Sequence, residues 1–248
     1  MKQHYITICC SLTMIVFSCN KKTGDTAATA ISSNGDITAS VDQFRALLGG
    51  PVNSSPGATG GRREINWESI PDSLIGKPLP PDFFNPLGAG APASRQRGLR
   101  YSSSGIFMVS DNNFAAVNPE ASARLKSFSG QRSFANISAS LWEVLPDKPG
   151  SAERASVHGF GIVFSGVDLQ NSTSMEFFEN EESLGKYFVP VHDGHSAFSF
   201  LGVYFHDRKI TRIQVSHLGA LSDPGSDVSN GGNRDFISMD DFLYDEPN

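Results

Sequence analysis

Hydrophobic positions alternate with small and polar ones through the second half of the chain. In 157–219, Phe160, Ile162 and Phe164 alternate with Gly161 and Val163, and Met175, Phe177 and Val189 fall in similar runs. Phe198, Phe200, Gly202 and Tyr204 share one parity, and Leu201, Val203 and Phe205 the other. Ile210, Arg212, Gln214 and Ser216 oppose Thr211, Ile213 and Val215. A period of two places one set against a core and the other towards solvent or a second layer. Turn residues break the runs roughly every ten positions, the rhythm of a sandwich or barrel. The polar stretches Asn180-Glu181-Glu182-Ser183 and His206-Asp207-Arg208-Lys209 predict hairpins, the second a longer loop because it lacks glycine.

Helical spacing occurs once. Val41, Phe44, Leu47 and Leu48 repeat at three and four, and Gly49-Gly50-Pro51 stops the run. Further strands are predicted over 62–68, with Ile65 and Trp67 on one face, over 98–101 and 105–110, and over 133–141 continuing into Trp142 and Val144. Phe236, Ile237, Met239, Phe242 and Tyr244 make a closing strand. Prolines fill 71–86, where Phe83 and Phe84 plug the edge of a core. The polar stretch 111–129 is expected along the surface, and 220–233 as an exposed loop. The predicted fold is all-β: one antiparallel β-sandwich, jelly-roll-like, with a short N-terminal helix, over 41–248.

Composition supports this. Among 248 residues, 18 Phe supply flat, rigid core filling, and 24 Gly with 14 Pro imply many turns. The net charge of -6 argues against nucleic acid as a partner, because phosphate binding needs clustered Lys and Arg. All three cysteines, Cys9, Cys10 and Cys19, lie near the start, so the folded part has no disulfide framework and no thiolate nucleophile.

The start reads as an export signal, with Lys2 and His4 before the apolar run 6–17. Val16-Phe17-Ser18-Cys19 resembles the lipobox of a bacterial lipoprotein, with Val where Leu is typical and Ser where Ala or Gly is typical. That resemblance implies cleavage after residue 18, acylation of Cys19 and anchoring in a lipid bilayer. Asn20, in place of Asp, implies the outer membrane. The small, polar segment 19–40 has no apolar face and is expected to be a flexible tether.

The runs G-R-R-E-I-N-W-E, P-L-P-P-D-F-F-N, V-x-G-F-G-x-V-F-x-x-V-D, S-T-S-M-E-F-F, S-F-L-G-V-x-F and M-D-D-F-L-Y resemble a family of uncharacterised secreted bacterial proteins that carry lipoprotein signals or sorting tags. The last strands are similar to galactose-binding-like jelly rolls of carbohydrate-binding modules. The resemblance implies an envelope-located binding or structural sandwich, with a polysaccharide or cell-surface glycan as its partner. A fold alone does not assign the ligand.

Candidate chemistry is dispersed. Aromatic platforms for a sugar would come from Trp67, Trp142, Tyr187 and Tyr204. A structural calcium would draw on Glu68, Asp168, Asp240 and Asp241, since calcium takes six to eight oxygens. Successive residues of a regular strand point to opposite faces, so only one of Asp240 and Asp241 should turn inward. The alternative is that these acids cap turns, accept backbone N–H bonds or pair with Arg63. His192, Asp193 and His195 fall in V-H-D-G-H, which reads either as zinc or acid–base chemistry or as a polar loop. A secreted glycoside or ester hydrolase would need a site assembled from separate residues such as Glu143, Glu176 and Asp168. No G-x-S-x-G occurs, so no catalytic residues are assigned.

Overall fold

The computed structural model describes residues 27–102, 105–221 and 232–248. The signal segment, Cys19 and the first part of the expected tether lie outside the described residues, as does most of the expected loop over 220–233.

In chain order the strands are β1 (Ala28–Asn34), β2 (Arg62–Ile65), β3 (Leu99–Ser102), β4 (Phe107–Ser110), β5 (Ser133–Asn136) and β6 (Leu141–Pro146). There follow β7 (Gly159–Ser165), β8 (Ser174–Glu179), β9 (Glu182–Phe188), β10 (Phe198–Phe205), β11 (Arg212–Ser216) and β12 (Ser238–Asp245). The helix α1 (Thr38–Leu48) follows β1. A seven-stranded sheet runs β1-β10-β7-β12-β5-β4, with β2 continuing the edge of β12 beyond β5. A five-stranded sheet runs β3-β6-β11-β8-β9. All these pairings are antiparallel. The result is the expected all-β sandwich with one short helix near its N-terminal side, consistent with a jelly-roll-like architecture.

The core lies between the sheets. Phe160, Ile162 and Phe164 of β7 project inward with Phe242 and Tyr244 of β12, and meet Val144, Met175, Phe177, Ile213 and Val215 from the smaller sheet. Trp67 stacks on Phe134 at 4.1 Å and 3°, with Phe242 edge-on at 5.1 Å. The smaller sheet turns a polar face to solvent, and its strands keep a clean alternation.

The middle of the larger sheet is covered on both faces, and β7 is buried along its whole length. Glycines explain how the outer cover fits. Gly161 and Gly202 pair across β7 and β10. A Cβ at either would come within 2.8 Å of the Phe44 ring. The bare backbone is therefore the seat of α1, whose Val41, Phe44 and Leu48 are buried there. The helix stops at Gly49, which has φ 85°. Further along the outer face, Phe114, Ala121 and Leu125 pack with Phe236 against Ala135 of β5.

Several expectations are corrected. The tether does not run to residue 40: 28–34 is an edge strand on β10, and α1 begins at Thr38. Backbone pairing needs no apolar face, which is why this polar run hid a strand. The stretch 111–129 covers a hydrophobic cluster instead of lying free on the surface. The predicted hairpin at 206–209 is a crossing between sheets, since β10 and β11 belong to different ones. By contrast, β8 and β9 do form a hairpin, closed by Asn180 at φ 55° and Glu181. Trp67 is not in a strand. The chain turns there with φ 67° and delivers the indole to the core.

Removing the Phe44 ring from its glycine seat (Phe44→Ala) is expected to cost about 3–5 kcal/mol. Filling the seat (Gly161→Ala) is expected to cost about 1–3 kcal/mol. Urea unfolding of the two variants beside wild type measures both, and wild-type stability in either would show that α1 does not hold the outer face.

Candidate functional site

The sequence-predicted residues divide sharply. Trp67 and Trp142 are fully buried in the core, so neither offers a ring to a ligand; the expectation of platforms there is corrected. Size and apolarity drew both indoles inside. Tyr187, on the edge strand β9, packs partly against the core, edge-on to Phe177 at 5.7 Å. Tyr204, on β10, stands half-exposed on the outer face of the larger sheet.

Around Tyr204 the structure gathers groups that the sequence left scattered. The His158 ring lies 6.0 Å away at 27°, and His206 lies 5.2 Å away at 63°. Asp245 accepts the backbone N–H groups of His158 and Gly159 and sits 3.2 Å from His158 Nδ1. A proton on Nδ1 would be donated to this carboxylate. Thr29 Oγ1 lies 2.8 Å from His206 Nε2. Burial, and then the Asp245 charge, raise the Tyr204 hydroxyl above the usual tyrosine range. The array is thus a neutral phenol between two imidazoles. Period-two reading could place Tyr204 on a face, but not the partners brought in by β1, β7 and β12.

The four acids considered for calcium do not converge. Asp168 lies past the end of β7 and acts on Asp235, whose carboxyl burial pushes up to about 7. Glu68 is exposed and accepts the N–H groups of Gln131 and Arg132, both at 2.8 Å. Among the described residues no three His, Cys, Asp or Glu side chains are placed to hold a metal ion.

Asp240 and Asp241 do come together, against the alternation rule. Met239 pairs with Phe164 and Phe242 with Ile162, so two residues of β12 oppose Val163 alone. This is a β-bulge, and it lets both carboxyls reach one segment. Asp240 Oδ2 accepts the N–H groups of Phe128 (2.6 Å) and Ser129 (2.8 Å). Asp241 Oδ2 accepts the Ser129 hydroxyl (2.8 Å) and the Arg45 guanidinium of α1 (3.2 Å). The Trp67 indole N–H donates to the bulged carbonyl of Asp240 at 3.0 Å. Burial, with Asp241 alongside, pushes the Asp240 carboxyl up to about 9, against the two amide bonds. Asp241 is also raised, chiefly by burial, and this is offset by the Ser129 hydroxyl and Arg45. Both carboxyls are thus driven towards the neutral form, Asp240 the more strongly, and the second oxygen of each, Oδ1, is buried without a hydrogen-bond partner.

Other catalytic groupings are accounted for by structural bonds. Glu143 and Glu176 both pair in register with Gln214, two strand spacings or about 10 Å apart on an open face. Glu143 binds Arg212 at 2.8 Å, and Glu176 lies 3.5 Å from Lys186. In the V-H-D-G-H loop, Asp193 Oδ1 accepts the N–H groups of His195 and Ser196, and His192 Nδ1 accepts that of Gly194. This is the polar-loop reading. Beside the loop lies a cleft of about 380 Å³, lined by Arg124, Lys126, His192, His195 and Phe198 among others. No sequence motif announces it, because its walls come from segments about seventy residues apart.

Comparison with protein-family models, with curated proteins and with solved structures finds no match to this chain.

The bulge gives the stability a pH dependence of definite sign. Asp240 loses its proton near pH 3.9 when unfolded and near pH 9 when folded. Its contribution is complete below about pH 4 and declines as the pH rises towards 9. Asp240→Asn keeps an acceptor for the two amides. Urea titrations at pH 5, 6.5 and 8 are expected to show a flatter profile for the variant, which becomes the more stable protein at pH 8. Parallel profiles would show that Asp240 carries no such burden.

Proposed function

We propose that this protein is a cell-envelope lipoprotein, acylated on Cys19, whose β-sandwich is a non-catalytic carbohydrate-binding module at the outer membrane. Two kinds of support bear on separate parts of this reading. The anchor rests on the lipobox-like run ending at Cys19 behind a basic, apolar leader. The acyl chains bury about 0.8 kcal/mol per CH₂, enough with more than one chain to hold a folded domain at a bilayer.

The binding reading rests on the Tyr204 array. A sugar ring has an apolar C–H face and a rim of hydroxyls. A half-exposed phenol can take the face, while imidazoles and a carboxylate at its margin can take the hydroxyls. Tyr204 and Asp245 provide part of that mixture from β10 and β12, and His158 and His206 lie one residue outside the ends of β7 and β10, strands that are joined in register. Strand-mounted groups hold their geometry without an ordering cost at binding. The protonation and bonding of the acids at the bulge are accounted for by the fold itself, which leaves binding as the better-supported use of the surface.

Two measurements test the two halves. Labelled palmitate is expected to enter the wild-type protein and not Cys19→Ala, with the variant released from the membrane fraction; label in the variant would end the anchoring claim. On a glycan array, Tyr204→Ala is expected to lose at least ten-fold in affinity while its thermal midpoint stays within a few degrees. Undiminished binding would remove Tyr204 as the platform, and an array blank for wild type would remove the carbohydrate reading.

A further inference from the structure

The cleft beside the V-H-D-G-H loop is cationic in a chain of net charge -6. Its described lining contains Arg124, Lys126, His192 and His195 and no acidic side chain. Arg124 is exposed, and among the described residues its guanidinium has no ion-pair or hydrogen-bond partner. Lys126 Nζ donates only to the carbonyl of Ser122, at 2.8 Å. Because Gly194 N–H occupies His192 Nδ1, a neutral His192 carries its proton on Nε2 and is a donor. Asp193, on the same loop as His192 and His195, is held back by the amides of Ser196 and His195, which keep it below the usual carboxylate range. Phe198 adds an aromatic surface, braced edge-on by Phe128 at 5.4 Å.

Both walls are fixed. On one side the backbone N–H of Lys126 donates to Ser165 Oγ at 2.8 Å, and the next residues are pinned to Asp240. On the other, His192 N–H donates to the Val167 carbonyl, and Gly166 N–H to that of Ala197. Cations without an acidic partner on a rigid frame, with an aromatic ring in the same lining, suit an anionic group carried on a ring.

We infer that this cleft binds the carboxylate or sulfate group of an acidic saccharide through Arg124 and Lys126. The inference deepens the carbohydrate reading above and rests on it, but uses a different set of residues from the Tyr204 array.

Calorimetry on the full chain in neutral detergent tests it, with polygalacturonate, dextran sulfate, uncharged dextran and inorganic sulfate as probes. An acidic polymer is expected to bind, more weakly as salt rises, and to lose about ten-fold or more in Arg124→Gln/Lys126→Gln. The charge-matched control Lys77→Gln/Lys209→Gln, at exposed positions outside the cleft, is expected to bind as wild type. Equal loss in both double variants, or no loss in either, overturns the cleft assignment and leaves the carbohydrate reading standing. Binding of dextran alone does the same. Inorganic sulfate binding as tightly as the polymers makes the ligand a bare anion and overturns the saccharide assignment. If no polysaccharide binds on calorimetry or on the glycan array, both readings fall together.

Discussion

Two neighbouring carboxyls on one face of a strand require an extra residue in that strand, and the bulge at Asp240–Asp241 supplies it. Much of the outer architecture is tied to this irregularity. Arg45 links α1 to Asp241, Ser129 and Phe128 fasten a long connection to both acids, and Trp67 caps the carbonyl that the bulge leaves outside the ladder. A regular β12 would send one carboxyl into the aromatic core, where its charge would have no partner. The bulge instead keeps both on the outer side, where backbone amides, the Ser129 hydroxyl and Arg45 bond one oxygen of each.

The outer layer completes the same logic. A sheet packed on one side only can show polar residues to water, as the five-stranded sheet does. The seven-stranded sheet instead receives α1 on Gly161 and Gly202 and the Phe114–Leu125 segment on Ala135. The cover is held at its margins by charge: Arg45 bridges Asp42, Glu64 and Asp241, and buried Arg63 grips Glu246 through two bonds. Pairs of this kind fix position more than they add stability. Lys126 and its neighbours are held as the wall of a cleft by hydrogen bonds instead, to Ser165 Oγ and to Asp240.

The sequence disclosed the two facing sheets through strict alternation, and the helix through Val41, Phe44 and Leu48. It disclosed little about edges and sites, for physical reasons. The strand over 28–34 is bound by its backbone, and only Ile31 of its side chains is buried. The bulge leaves no hydrophobic signature, because M-D-D-F reads as plain alternation with one polar excess. The indoles looked like ligand platforms because residue type alone does not distinguish a core ring from a surface one. Tyr204 acquires its character from three other strands, and the Arg124 cleft from two distant connections. Such sites exist only once the topology has closed.

The order of strands in the larger sheet has one more consequence. Its middle, between β7 and β5, is occupied by β12, the strand that comes last along the chain. A nascent polypeptide that has reached residue 221 already contains every other strand of that sheet, yet β7 and β5 have no shared neighbour and each shows a bare ladder of N–H and C=O groups. Completion is then a single late insertion that pairs β12 with partners 73 to 183 residues earlier in the chain, and partial copies remain open and sticky until it happens.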